Sequence, residues 1–174
     1  MLFIKGVREG VLVLAQLINF IEDENIYKET VTGFRKNYGR NAALMKLRDD
    51  IRKAMKSSEV TLAVLVDFSK AFDTICHNLM IKKLHQLGFS KNFLWWTFSY
   101  LENRKQYVQI DNKSSSIEEV KFGVPQGTIL GPILFNLYAN DLQNDINMKT
   151  IQYADDTTLY IQKRYHFWTL LKKK

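Results

Sequence analysis

Cysteine is nearly missing from this sequence: Cys76 is the only one, so no disulfide can close within the chain, and a reducing, intracellular compartment is expected, nucleus and cytoplasm alike. With three histidines and that lone thiol, no spacing resembles a zinc site. Long apolar runs are missing too. The most apolar early stretch, Val11 to Ile21, contains Gln16 and Asn19, is too short to span a bilayer and is followed by no small-residue cleavage site. No membrane partner is predicted. Internal repeats and low-complexity tracts are absent, and with 46% apolar and 25% charged residues the composition excludes disordered and fibrous classes.

What is present is enough for a self-supporting core, since a chain of 174 residues buries roughly 70% of its unfolded surface. The formal net charge of +7 and pI near 9.4 favour an anionic partner. Taken alone, such an excess is explained equally well by solvated faces.

Leu14, Leu17, Ile18 and Ile21 recur at helical spacing from Val11 to about Lys28, until the polar run from Glu22 to Asn25 breaks the stripe. Asn41 to Ser57 predicts an amphipathic helix with Leu44, Leu47, Ile51 and Met55 on one face and Lys46, Arg48, Arg52, Lys53 and Lys56 around the rest. Thr61 to Phe68 is a nearly continuous β-branched apolar run and reads as a buried central strand ending at Asp67. Helices are expected over Asn78 to Leu87, stopped by Gly88, and over the aromatic stretch Asn92 to Leu101. Gln106 to Ile110 and Ser116 to Phe122 suggest a hairpin about the polar turn from Asp111 to Ser115. After the punctuated loop Gly123 to Gly127, Pro132 suits an early position in a helix that carries Ile133, Leu134, Leu137 and Tyr138 on one face. Thr150 to Ala154 and Thr157 to Ile161 then form a hairpin with Asp155 and Asp156 at its tip.

Three carboxylates therefore sit at strand ends: Asp67, Asp155 and Asp156. A lone Asp-Asp pair is most often a solvated turn. Clustered acids, by contrast, repel one another unless cations neutralise them, and hard divalent ions with oxygen ligands do so.

The ordered set decides between these readings. Asp67 to Asp73 reads DFSKAFD, Gly123 to Asp141 reads GVPQGTILGPILFNLYAND, and Tyr153 to Asp156 reads YADD; upstream, Thr32 to Lys36 reads TGFRK. Over roughly Gln16 to Tyr160 the chain resembles the reverse transcriptases of retrotransposons without long terminal repeats, in wording similar to jockey-like elements. A group II intron maturase is a weaker match.

The resemblance implies an α/β fold, a palm whose antiparallel sheet is backed by helices, with partial fingers. It implies RNA-directed DNA polymerase activity by two-metal catalysis, with Mg²⁺ or alternatively Mn²⁺, an RNA template, a DNA primer and deoxynucleoside triphosphates. Asp67 and Asp155 become the principal metal ligands, with Asp156 beside them. Phe72 becomes an aromatic gate against a 2′-hydroxyl, Gln126 a nucleotide contact and Arg35 a triphosphate contact. Lys36, Gly127 and Tyr153 become nucleic-acid contacts. As alternatives, Phe72 is a core aromatic, the loop at Gln126 a structural turn and Lys36 a solvated charge. Asp73 reads as a helix N-cap or turn residue, and Cys76 and His77 as structural.

The expected organisation is a fingers-like helical segment over 1–60, a palm over 61–162 and a basic tail over 163–174. The family's downstream Lys-bearing motif, primer grip and thumb have no counterpart after the Tyr-x-Asp-Asp stretch, Met1 to Ala15 do not resemble early fingers, and Gly39-Arg40-Asn41 replaces the usual step after the fingers motif. A fragment of an element is the expectation. Its alternative function is that of a non-catalytic relic that at most binds nucleic acid.

Overall fold

The computed structural model describes residues 7–35, 37–144 and 146–164; Lys36 and most of the basic tail, 165–174, lie outside the described residues. The elements run α1 (Val7–Asp23), α2 (Arg40–Lys56), β1 (Glu59–Val66), α3 (His77–Gln86), α4 (Lys91–Leu101), β2 (Arg104–Gln106), β3 (Gln109–Ile110), β4 (Lys113–Ser114), β5 (Glu118–Val120), α5 (Leu130–Ala139), β6 (Lys149–Tyr153) and β7 (Asp156–Arg164). They fall into two compact units, Met1–Ile26 with Lys70–Tyr138, and Tyr27–Ser69 with Ala139–Lys174.

In the first unit, α1 buries Leu17 and Ile21 and ends where the acidic run begins. Helices α3 and α4 pack together. Gly88 supplies the positive φ of the turn between them, and the Ser90 hydroxyl caps α4 by accepting from the Phe93 amide at 3.3 Å. The expected hairpin exists but is interrupted. β2 pairs with β5 and β3 with β4, and between the two ladders Ser115 exchanges bonds with Val108, its side chain replacing the strand pairing. In α5, Pro132 sits in the first turn and Ile133, Leu134 and Leu137 are buried, as the spacing predicts.

The second unit is built on a three-stranded antiparallel sheet of order β1-β7-β6. Helix α2 packs on β1 and β6, and Ala43, Ile151 and Tyr160 form a core with Leu47 against it. Two expectations change here. The buried face of α2 runs through Ala43 and Ala54 with Leu47 partly covered, while Leu44 and Met55 stay exposed. Small alanines let the helix approach the sheet, and Asp50 joins that face by accepting from Tyr160 Oη at 2.8 Å and Lys149 Nζ at 3.0 Å. Strand β1, expected to be central and buried, is an edge strand whose Leu62, Val64 and Leu65 are exposed, Leu65 at 81%. A continuous apolar run signals burial only where both faces of the strand are covered, and here Leu62 and Val64 on one face and Leu65 on the other are open to solvent.

Candidate active site

Strand register brings the acids together. Val66 lies opposite Thr157, so the chain leaving β1 carries Asp67 alongside Asp156, the first residue of β7. Tyr153 pairs with Asp156, which makes Ala154 and Asp155 the two-residue loop of the hairpin. Asp67 and Asp156 are exposed and line one open cleft of about 420 Å³ with Arg40, Leu44, Tyr153 and Thr158. Asp155 is half-buried and is not part of that lining. Distant acids thus end on adjacent antiparallel strands, as expected, with Asp67 and Asp156 in one cleft and Asp155 in the loop beside it.

The hairpin's loop is strained and braced. Ala154 holds φ at 55° while Asp155 does not share the positive region, the pattern of a type II′ turn, which prefers Gly at the first position. Beside it, Val31 bridges Gln152 in parallel, the Thr32 amide donates to the Gln152 carbonyl at 2.9 Å, and the Gln152 amide donates to Thr30 at 2.8 Å. The buried Thr32 hydroxyl donates to that same Gln152 carbonyl at 2.8 Å. Gly33 follows, buried, and a Cβ there would lie 2.3 Å from the Ala154 backbone nitrogen. The TGFRK stretch is thereby laid along the YADD hairpin. The Arg35 guanidinium stacks over Tyr38 at 4.1 Å and Tyr27 at 5.6 Å and donates to the Lys28 carbonyl at 3.4 Å. Arg40 lies 5.4 Å over the ring of half-buried Tyr153.

In the other unit the Gly123 to Gly127 loop is tied down from several directions. Gly123 has φ +79° and no room for a side chain, since a Cβ would meet the Asp73 Cα at 2.7 Å. Its amide donates to Ile75 at 2.8 Å, and its carbonyl receives Arg104 Nη2 at 3.0 Å and His77 Nε2 at 2.8 Å. Gln126 is exposed and its Nε2 donates to Asp73 Oδ1 at 2.8 Å. Asp73 is a turn residue, one of its two expected readings, and not the helix cap, a place taken by Cys76, and His77 has a defined partner. Burial pushes the Arg104 guanidinium down, opposed by Tyr100 and Asp73. Phe72 is half-buried with its ring 4.6 Å from that of Phe135. Gly127 is exposed at φ +72°.

Among the described residues, no three His, Cys, Asp or Glu side chains stand close enough to hold a metal by themselves. The donor set still suits a hard divalent ion, because Mg²⁺ is commonly held by one or two carboxylates completed by substrate phosphates, and two carboxylates share the cleft. Gly33, Thr32 and Arg104 escaped the reading of the sequence as site residues. Only the position of Gly33 inside TGFRK hinted at its role, since a close backbone approach leaves no periodicity to detect.

An antiparallel sheet that gathers acids at one end is what the resemblance implied for a polymerase palm. The chain matches the family described as "Reverse transcriptase (RNA-dependent DNA polymerase)" over residues 12–173, and it belongs to that family. It is 28% identical to the RNA-directed DNA polymerase from mobile element jockey of Drosophila melanogaster, over 88% of this chain and 18% of that protein. It is 30% identical to the probable RNA-directed DNA polymerase from transposon BS of the same species, over 75% of this chain and 14% of that one. The chain thus spans less than a fifth of these relatives. In fold it is similar to telomerase from Candida tropicalis, solved with a fragment of telomeric RNA, with a TM-score of 0.66 at 14% identity over 96% of this chain and 30% of that one. Members of the family generally work with divalent metal ions. No helix among the described residues is long and apolar enough to cross a membrane.

Proposed function

We propose that this chain supplies the catalytic palm of an RNA-directed DNA polymerase, which extends a DNA primer on an RNA template using deoxynucleoside triphosphates. The observation that carries the reading is the shared cleft of Asp67 and Asp156 at the ends of paired strands, with Asp155 in the adjoining loop. Asp67, Asp155 and Asp156 would hold two Mg²⁺ ions, or Mn²⁺ in their place. When bound, such ions lower the pKa of the primer hydroxyl and stabilise the charge on the departing pyrophosphate. The chain's own residues bind and orient. Carboxylates act as ligands, and no side chain is needed as a nucleophile. Arg35, its guanidinium plane fixed by two tyrosines, is suited to a triphosphate's oxygens, for which Arg offers a bidentate fork. Phe72 serves as the sugar gate and Gln126 as a nucleotide contact, while Lys36, Gly127 and Tyr153 contact the template or primer. A reducing, intracellular setting suits the single free thiol.

The test is extension of a DNA primer on an RNA template with Mg²⁺ by the 174-residue chain fused to the thumb of a related element, beside the bare chain, with Asp67→Asn, Asp155→Asn and Asp156→Asn in each. Extension by the fusion that each substitution abolishes is expected, with little or none by the bare chain, which has no thumb to hold the primer end in line. Binding of the hybrid by a fusion that shows no acid-dependent extension would sink the reading. It would favour a second one, a nucleic-acid binder without catalysis, for which the +7 charge speaks.

A further inference from the structure

The segment Thr30 to Gly33 does more than continue the sheet. It meets the hairpin through two backbone hydrogen bonds to Gln152 and one from the buried Thr32 hydroxyl, all between 2.8 and 2.9 Å, and then passes Gly33 directly under the loop. At Gly33 an added Cβ would stand 2.3 Å from the Ala154 nitrogen, 3.1 Å from its Cα and 3.1 Å from the Tyr153 carbonyl carbon. All of these are backbone atoms, so no side chain can swing aside. Ala154 is the residue at φ 55°, and Asp155 and Asp156 follow it directly. A strained turn persists only when its surroundings over-determine it, and this segment touches it, together with the Gln152 side-chain amide, which donates to the Ala154 carbonyl at 3.3 Å.

We propose that Gly33 and Thr32 are positioning residues for the acids of the Tyr153 to Asp156 turn, acting through the Gln152 carbonyl and the Ala154 backbone. This deepens the polymerase reading and rests on it for what the acids do. Any side chain at 33 must push the turn by on the order of 1 Å, a misplacement that can cost about 10²-fold in a reaction demanding in-line geometry. Metal affinity should drop as well, as it does by roughly 10–100-fold when groups supporting metal ligands are altered.

The experiment is a titration of the ¹⁵N-labelled full chain with Mn²⁺ alone, read by amide chemical shifts and by paramagnetic broadening. In the unsubstituted protein, broadening should centre on Asp67 and the 153–156 turn and vanish in Asp67→Asn. Gly33→Ala should move the amides of Ala154, Asp155 and Asp156 and raise the half-saturating Mn²⁺ concentration by roughly tenfold or more. Ala154→Gly added to it relaxes the turn and should recover part of that loss, compared under conditions where the amides far from the turn show both variants fully folded. Should Gly33→Ala fail to fold, the hydroxyl decides: Thr32→Val should weaken Mn²⁺ binding and Thr32→Ser should restore it. Turn amides and Mn²⁺ affinity unchanged in Gly33→Ala, or in Thr32→Val, would overturn the proposal. Absence of acid-dependent broadening in the unsubstituted chain even with a deoxynucleoside triphosphate present to complete the coordination would instead remove the polymerase reading, and the turn shifts would still report whether Gly33 sets the loop.

Discussion

Ala154 occupies a region of backbone space that costs a non-glycine residue about 1–3 kcal/mol, one residue before the half-buried Asp155. Ala154→Gly should therefore raise thermal stability while loosening the loop that carries the acids. A higher melting temperature combined with lower primer extension is the expected pair; equal or higher extension would show that the strain does not serve the site. Phe72 poses a different balance, because its ring packs against Phe135 and is also proposed above as the sugar gate. Phe72→Val should cost up to about 3 kcal/mol of packing and admit ribonucleotides while deoxynucleotide use stays measurable. Incorporation of matched ribo- and deoxynucleotides measures the ratio, and unchanged sugar discrimination would assign Phe72 to the core alone. Gln126 is legible from the Pro-Gln-Gly stretch, whereas its bond to Asp73, 53 residues away, is not.

Helix α2 is fixed to the sheet by a polar contact as well as by its alanines. Burial alone would raise the Asp50 carboxyl, yet hydrogen bonds from Tyr160 and Lys149, with the charges of Lys149 and Lys53, hold it below its ordinary value. Tyr160 is pushed up, first by burial and then by its bond to Asp50. A depressed carboxyl contributes stability that is complete above its unfolded pKa and is lost as pH falls through the folded value. A raised phenol contributes stability that is complete below its unfolded pKa, near 10, and is lost as pH rises toward the folded value. Asp50→Asn should accordingly flatten the fall in stability below about pH 4, and Tyr160→Phe should flatten part of the fall above about pH 10. Tyr160→Phe should also cost about 1.5–3 kcal/mol near neutrality, since it removes a hydrogen bond to a charged group. Denaturant titrations across pH check all three effects, and pH profiles parallel to the parent's would remove the contact from the account of stability.

Across the whole molecule, the excess of cations has a direct thermodynamic reading. Binding to an RNA–DNA hybrid should weaken linearly in logarithmic salt, because each neutralised phosphate releases counterions. Arg52 and Lys53 are exposed on the outer side of α2, and replacing both with Gln should reduce the magnitude of that slope by about two units if they contact phosphates. A slope equal to the parent's would place the nucleic acid elsewhere on the surface.

The helices, the acid-tipped hairpin and the family were all readable from the sequence, because helical spacing, Gly/Pro punctuation and ordered motifs are local properties of the chain. Which way each element turns was decided by tertiary structure. Leu44 and Met55 lost the inner face of α2 to Ala43 and Ala54, and the apolar run of β1 became an edge, since burial depends on what arrives from distant parts of the chain. The pairing of Asp67 with Asp156 in one cleft came from a one-residue choice of register between β1 and β7, which periodicity of two cannot express. Least visible of all was Gly33, whose importance lies in a side chain it lacks and in a backbone more than a hundred residues away that needs the space.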